Sequence, residues 1–376
     1  MLLNPERARK KRRKRIGRRI AIAAAVLVFL LVAGFATVQV ARAVGRSSLQ
    51  KGMGAVGRTP QLTDTQEVSD AEKEALGWQD GWVKYDDKIY AYNEDILTFL
   101  IMGIDKNDTV RETAEGGNGG QADALFLLVL DPDTKQMRLV GINRNTMTAV
   151  DVYDESGSYT TTMTAQVCLQ HSYGNGLEES GNFQVAAVSN LFYRLPIHGY
   201  AAINMSAIPT LNDAVGGVDV TVLEDLTQWD ETLVKGAQVH LMGESAYVYI
   251  SRRDTSVYGS ADARLERQKQ YINAYLGQAK NAAKSDLNVV TGLYSALNSM
   301  MVTDITFNEV AYLAPVVRDY QFDMDHIYTM QGETRTGTSQ TTGDTFEEFY
   351  PDRDAMYRMI LEVFYEEVDE SKGQVQ

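Results

Sequence analysis

The first forty residues constrain this chain more than any other stretch. Ten lysines and arginines crowd between Arg7 and Arg19, and the next 21 residues, Ile20 to Val40, carry no charge. An apolar helix of that length reaches about 30 Å, the thickness of a bilayer's hydrocarbon core. Basic residues ahead of such a span favour the cytoplasmic side. The sequence therefore predicts a single-pass membrane protein: residues 1–19 a cytoplasmic basic tail, 20–40 a transmembrane helix, and the rest outside. Ala41-Arg42-Ala43 offers the competing reading of a cleaved signal peptide. The apolar run exceeds the roughly 7–15 residues of a signal-peptide core, so a retained anchor is preferred. Its place beside a span assigns the basic tail to topology and anionic headgroups rather than to nucleic acid.

Charge separates the tail from the remainder. Residues 1–19 hold ten bases and one acid, a net +9 within a chain of −14, so the other residues carry −23. An acidic exterior argues against a nucleic-acid partner while leaving room for a local cationic pocket. The single cysteine, Cys168, excludes an intramolecular disulfide and reads as a small buried apolar side chain. An outside domain without cystines leans towards a bacterial envelope and must rely on its core.

Residues 41–94 read as a linker and juncture, rich in Gly, Ser, Thr and Gln to about Glu67, then a charged helical patch with Trp78 and Trp82 that packs on the domain. ILTFLIM (96–102), ALFLLVL (124–130) and MRLVGI (137–142) have the continuous apolar character of buried strands, the last two joined by the turn signal DPDT (131–134). Helical patterns follow at 181–194, 206–215, 244–250 and 262–280, with strands at 198–204 and 218–222. Strands mixed with helices predict a layered α/β or α+β sheet domain. Residues 282–376 read as mostly helical, interrupted by a Thr/Gly-rich loop at 332–345.

Candidate chemistry gathers where strands end. Asp105 follows the first apolar run and Asp123 precedes the second, so neighbouring strands would bring two carboxylates together. Alone, Asp105 reads more readily as a turn-stabilising acid. As a pair the two acids suit a hard cation such as Mg²⁺, which takes one or two carboxylates plus phosphate oxygens and water. Arg144 ends the third strand between Asn143 and Asn145, and reads either as a surface ion pair or as a phosphate clamp. Downstream, Arg252, Arg253, Arg264, Arg267 and Gln268 cluster. Arg264 and Gln268 are spaced i, i+4 on one helix face, and Arg267 points elsewhere. An Arg-Arg loop followed by an Arg/Gln helix suits a diphosphate.

Five ordered blocks resemble the LytR-CpsA-Psr family of cell-envelope proteins: FLIMGID (99–105), QADALFLLVLDPDTKQMRLVGINRNTM (121–147), INMSAIPTLNDAVGGVDVTV (203–222), KGAQVHLMGESAYVYISRRD (235–254) and ARLERQ (263–268). The resemblance implies an α/β fold, an α–β–α sandwich with a mixed central sheet, and a catalytic domain over residues 95–281. It implies transfer of a phosphate-linked glycopolymer, teichoic acid or capsule, from an undecaprenyl diphosphate carrier to peptidoglycan at a Gram-positive cell membrane. Asp105 and Asp123 would hold Mg²⁺. Arg144, Arg253 and Arg264 would be catalytic, and these three with Arg252, Arg267 and Gln268 would bind substrate. The lipid tail would lie in an apolar tunnel between sheet and helices, with the faces of 181–194 and 206–215 as candidate lining.

Four positions depart from the family pattern. Gln121 stands for Arg, Asn143 for Pro, Asn145 for Asp and Ser251 for Arg. They keep two alternatives in view: a polyprenyl diphosphate phosphatase, and a non-catalytic polyprenyl-phosphate-binding regulator. His171, His198 and His326 lie outside the five blocks, and His240, though inside the fourth, matches none of its motif residues, so no general base is evident beyond a metal-poised carboxylate.

Overall fold

The computed structural model describes residues 59–369, 374 and 375, apart from residues 64, 114–117, 155, 286–292, 294, 295, 298, 318, 323 and 339–342. The basic tail and the expected span at 20–40 lie outside the described residues. Among those described, no helix is long and apolar enough to cross a membrane.

Helix α1 (Asp70–Leu76) is opened by the Ser69 hydroxyl, which accepts from the Glu72 N–H, and closed by left-handed Gly77. Strands β1 (Trp82–Tyr85) and β2 (Lys88–Tyr92) then form a hairpin, so Trp82 lies in a strand rather than in the expected helical patch. Strands β3 (Leu97–Ile104), β4 (Ala122–Asp131) and β5 (Gln136–Ile142) form the centre of a six-stranded sheet and pair antiparallel in sequence. The β4–β5 turn is built by Asp131, whose Oδ1 accepts from the Asp133 and Thr134 N–H groups, and by Lys135 at φ 57°.

Strands β6 (Met147–Tyr153) and β7 (Tyr159–Gln166) make a projecting hairpin, followed by helix α2 (Glu178–Leu191). Strand β8 (Gly199–Asn204) runs parallel to β3. Helix α3 (Ile208–Ala214), the pair β9 (Val218–Thr221) and β10 (Gln238–Leu241), and helices α4 (Glu244–Ser251) and α5 (Ser260–Ser285) come next. The expected α/β class with a mixed central sheet is what the chain adopts.

Residues 282–376 correct the expectation of a mostly helical extension. They include helices α6 (Phe307–Val317) and α7 (Arg353–Phe364), but also both edges of the central sheet: β11 (Met301–Thr303) on β8 and β12 (Ile327–Thr329) on β5. Residues read as a Thr/Gly-rich loop contribute a hairpin, β13 (Gly332–Thr338) with β14 (Thr345–Pro351). Nearly every β13 side chain faces solvent, so no apolar alternation marked the strand. Strand β15 (Tyr365–Asp369) completes the β1–β2 sheet, with β16 (Gln374–Val375) on its outer edge.

The central strands are apolar on both faces because both faces are covered. Leu100, Met102, Leu125, Leu127 and Val140 pack against α2 and α7. Ile101, Phe126, Leu128 and Leu139 turn to the other side, against Leu265 and Ile272 of α5.

Candidate active site

Three strand ends meet at one rim of the sheet. β3 runs up to it, β4 starts from it and β5 returns to it, which places Asp105, Asp123 and Arg144 side by side. The ladder slips there: Gly103 pairs with Ala124 and Ile104 with Ala122, leaving Asp123 as the unpaired residue of a bulge. Bulges of this kind re-aim a side chain.

Asp123 is the hub. Its Oδ1 accepts from Arg144 Nη1, and its Oδ2 accepts from Arg264 Nη1 at 3.1 Å. Arg264 Nη2 also donates to the Asp123 carbonyl at 3.2 Å. Arg144 Nη2 reaches Gln121 Oε1 and the Cys168 sulfur, while its Nε is buried with no partner among the described residues. Burial pushes the Arg264 guanidinium down to about 10, with Arg144 and Arg253 adding to the shift and Asp123 opposing it. Arg253, held by Ser260 Oγ at 2.9 Å, is thus close enough to be felt. Asp123 answers two buried arginines, with Arg253 and Asp105 close enough to act on the same cluster.

The departures at 121 and 145 have local causes. Gln121 accepts from Arg144 through its side chain, while its backbone N–H donates to Asp105 Oδ1 at 2.6 Å. An arginine at 121 would face Arg144 instead. Asn145 is buried; its Nδ2 donates to Glu347 Oε2 at 3.1 Å and its Oδ1 accepts from Gln166 at 3.1 Å. An aspartate there would oppose a second carboxylate.

Asp105 and Asp123 are the carboxylates expected to hold a divalent cation, and both Asp123 oxygens accept from arginines here. Among the described residues no group of three or more His, Cys, Asp or Glu side chains could hold a metal ion. Mg²⁺ does not need one, since it commonly takes two carboxylates and completes its shell with phosphate and water. Asp105 lies at the surface, yet its carboxyl is raised above the usual range by the desolvation of the crowded rim, with the charge of Asp123 adding to it and the Gln121 N–H opposing. Two acids that feel each other in this way form a donor pair that a cation would relieve.

The remaining expected ligands separate. Gln268 is buried, donates to the Ile250 carbonyl at 3.0 Å, and lines an apolar cavity. Arg252 is exposed and stacks over Tyr247, 5.4 Å from the ring centroid, away from Asp123. Arg267 corrects its inclusion among the substrate ligands. It is wholly buried, with Nε 2.7 Å from Glu224 Oε1 and its other nitrogens donating to the carbonyls of Tyr249 and Arg252. No donor of that guanidinium faces the rim, because one residue along a helix turns a side chain about 100° from Gln268.

Two cavities adjoin the cluster. The apolar one, about 300 Å³, lies between sheet and helices; Gly103, Ala124 and Gln268 line the end nearest Asp123, and Leu128, Leu139 and Leu276 line it further away. Ile208 and Leu211 of α3 line it as expected. Helix α2 does not: it packs on the opposite face of the sheet. The second cavity, about 340 Å³ and polar, is bounded by Arg144, Asn145, Arg253, Ser256, Thr336 and Glu347. Glu347, delivered by β14, was not foreseen. Its only trace in the sequence is the missing charge at Asn145.

The chain is a mixed-sheet α/β domain whose arginine–carboxylate rim lies beside an apolar cavity. The LytR_cpsA_psr family model matches residues 61–356, and the chain belongs to the LytR-CpsA-Psr family. A polyisoprenyl-teichoic acid–peptidoglycan teichoic acid transferase, TagU of Bacillus anthracis, is 27% identical over 232 residues, 62% of this chain and 64% of that one. TagV of Bacillus subtilis, of the same description, is 31% identical over 199 residues, 50% of this chain and 46% of its own. The match thus spans less than two thirds of either relative. Among solved structures, B. subtilis TagV superposes with a TM-score of 0.54 at 23% identity, covering 72% of this chain and 97% of that one. Protein gbs0355 of Streptococcus agalactiae gives 0.55 at 20% identity, covering 72% and 86%. These likenesses establish the fold.

Proposed function

We propose that the protein is a membrane-anchored, extracellular, Mg²⁺-dependent phosphotransferase that moves a glycopolymer phosphate from an undecaprenyl diphosphate carrier to peptidoglycan. The observation that carries this reading is the contiguity of charge and apolar space. Ala124 borders the cavity one residue from Asp123, and Gln268 borders it one helical turn from Arg264. A ligand with a diphosphate head and a prenyl tail matches both halves. The relatives named as teichoic acid transferases support the same substrate class.

Phosphoryl transfer needs positioning and charge neutralisation more than covalent help. Arg144, Arg253 and Arg264 hold the phosphate oxygens, and Arg144 and Arg253 both line the polar cavity. Asp123 keeps the arginines aligned until the substrate arrives. Asp105 and Asp123 would hold Mg²⁺, which when bound neutralises charge developing on the transferred phosphate. The acceptor hydroxyl attacks the phosphorus next to the glycan, and polyprenyl phosphate leaves.

The full chain in detergent, given a lipid-diphosphate-linked glycan and peptidoglycan oligomers, is expected to join glycan to oligomer only with Mg²⁺. Release of lipid phosphate without joined product would replace the transferase with a diphosphatase. Tight carrier binding with no product would make it a binding protein.

The cavity makes a separate prediction. Leu128 lies four residues along β4 from Ala124, about 13 Å at strand spacing. Leu128→Trp should therefore spare carriers with a short prenyl tail and raise KM for the undecaprenyl carrier about tenfold or more, the loss of one good contact set. Equal effects on both chain lengths would place the tail elsewhere.

A further inference from the structure

We propose that Glu347, on the β13–β14 hairpin, is the general base that accepts the proton of the attacking hydroxyl, and that the polar cavity around it is the acceptor subsite. This rests on the transferase reading and supplies the base that the rim lacks. Asp123 has both oxygens bound by arginines, and Asp105 is one of the two acids assigned to the cation. The buried histidines do not reach the rim: His171 Nδ1 meets the Gly120 carbonyl, and His198 Nδ1 accepts from the Thr98 N–H. His240 pairs with Asp219 on the surface.

Glu347 is held as a catalytic carboxylate must be. The Gly259 N–H donates to Oε1 at 2.6 Å and Asn145 Nδ2 donates to Oε2 at 3.1 Å. Each oxygen keeps a further lone pair for a substrate hydroxyl. The strand that carries it is fastened to the Arg144 turn. The Phe349 N–H donates to the Asn145 carbonyl at 2.9 Å, and Gln166 Nε2 donates to the Glu347 carbonyl at 2.6 Å. Glu347 therefore moves with Arg144, not independently of it.

The cavity sets the direction of the chemistry. Glu347 shares it with Arg144 and Arg253, which grip phosphate, so a hydroxyl bound there lies between base and phosphorus. Ser256, Thr255, Thr336, Thr345 and Gln166 supply the rest of a polyhydroxyl-binding wall. In the step itself the acceptor oxygen bonds to phosphorus, the bond from that phosphorus to the polyprenyl phosphate oxygen breaks, and the hydroxyl proton passes to Glu347. The leaving phosphate or solvent then takes the proton.

Glu347→Gln is the test, because the amide keeps the shape of the carboxylate and one acceptor for the Gly259 N–H, giving up only the hydrogen bond from Asn145. With the joining assay above, kcat is expected to fall about 100-fold or more, the usual worth of a general base. Binding of the undecaprenyl diphosphate carrier should stay within about twofold. Arg144, Arg253 and Tyr258 line the same cavity and Asp262 on α5 lies close enough to feel the Glu347 charge, and none of them is altered by the substitution. Unchanged kcat would overturn the assignment while leaving the transferase reading intact. Carrier binding lost together with kcat would overturn it too, making Glu347 a positioning residue. A wild-type protein that joins nothing under any condition would sink the underlying reading instead.

Discussion

Asp123→Asn is expected to abolish joining of glycan to peptidoglycan and to lower the thermal midpoint, and inorganic pyrophosphate is expected to restore more of that midpoint than it adds to the wild type. Asp123 answers two buried arginines, with side chains 14% exposed for Arg144 and 5% for Arg264. The amide keeps one acceptor and turns an NH₂ group towards the other guanidinium. Breaking a buried pair from one side costs about 3–5 kcal/mol, because the partner's charge remains. For a domain of this size that corresponds to roughly 5–10 °C. Pyrophosphate would fill the same role as the lost carboxylate, accepting from both arginines. The differential shift separates this account from simple loss of a metal ligand, which would leave the metal-free midpoint unchanged. Equal midpoints for both proteins without Mg²⁺ would show that the arginines do not depend on Asp123.

The rim was legible in the sequence for a physical reason. Continuous apolar runs with polar residues at their ends identify buried strands, and antiparallel neighbours bring those ends to one edge. Asp105, Asp123 and Arg144 therefore came together from pattern alone. Helical spacing put Arg264 and Gln268 on one face of α5, and of the two only Arg264 reaches Asp123. Glu347 did not, because β13 faces solvent at most positions and β14 (TFEEFYP) shows no apolar alternation. Its contact with Asn145 also spans 202 residues of chain. The edges β11 and β12 are three residues each, too short to show a period. The polar character of Asn145 and Gln121 looked like lost function in isolation. Beside Glu347 and Arg144 each is the residue that satisfies its neighbour.

Arg267 shows why a charge run cannot be assigned by proximity in sequence. Arg267→Ala is expected to cost about 3–5 kcal/mol of stability, the toll of opening a buried ion pair. The carrier affinity of the protein that remains folded should change little. The guanidinium is 0% exposed, paired with Glu224 and donating to Tyr249 and Arg252 at the C-terminal end of α4. Those carbonyls belong to the last turn and the residue beyond it, where helical partners run out. Arg267 thus ties the end of α4 to α5, and the tie sets where the next residue, Arg253, enters the polar cavity. Its loss should lower kcat only as far as Arg253 drifts, and Arg267→Lys, which restores charge but not the planar fork, should recover little stability. The check is a denaturant titration run beside carrier binding. A large loss of affinity at unchanged stability would return Arg267 to the substrate ligands.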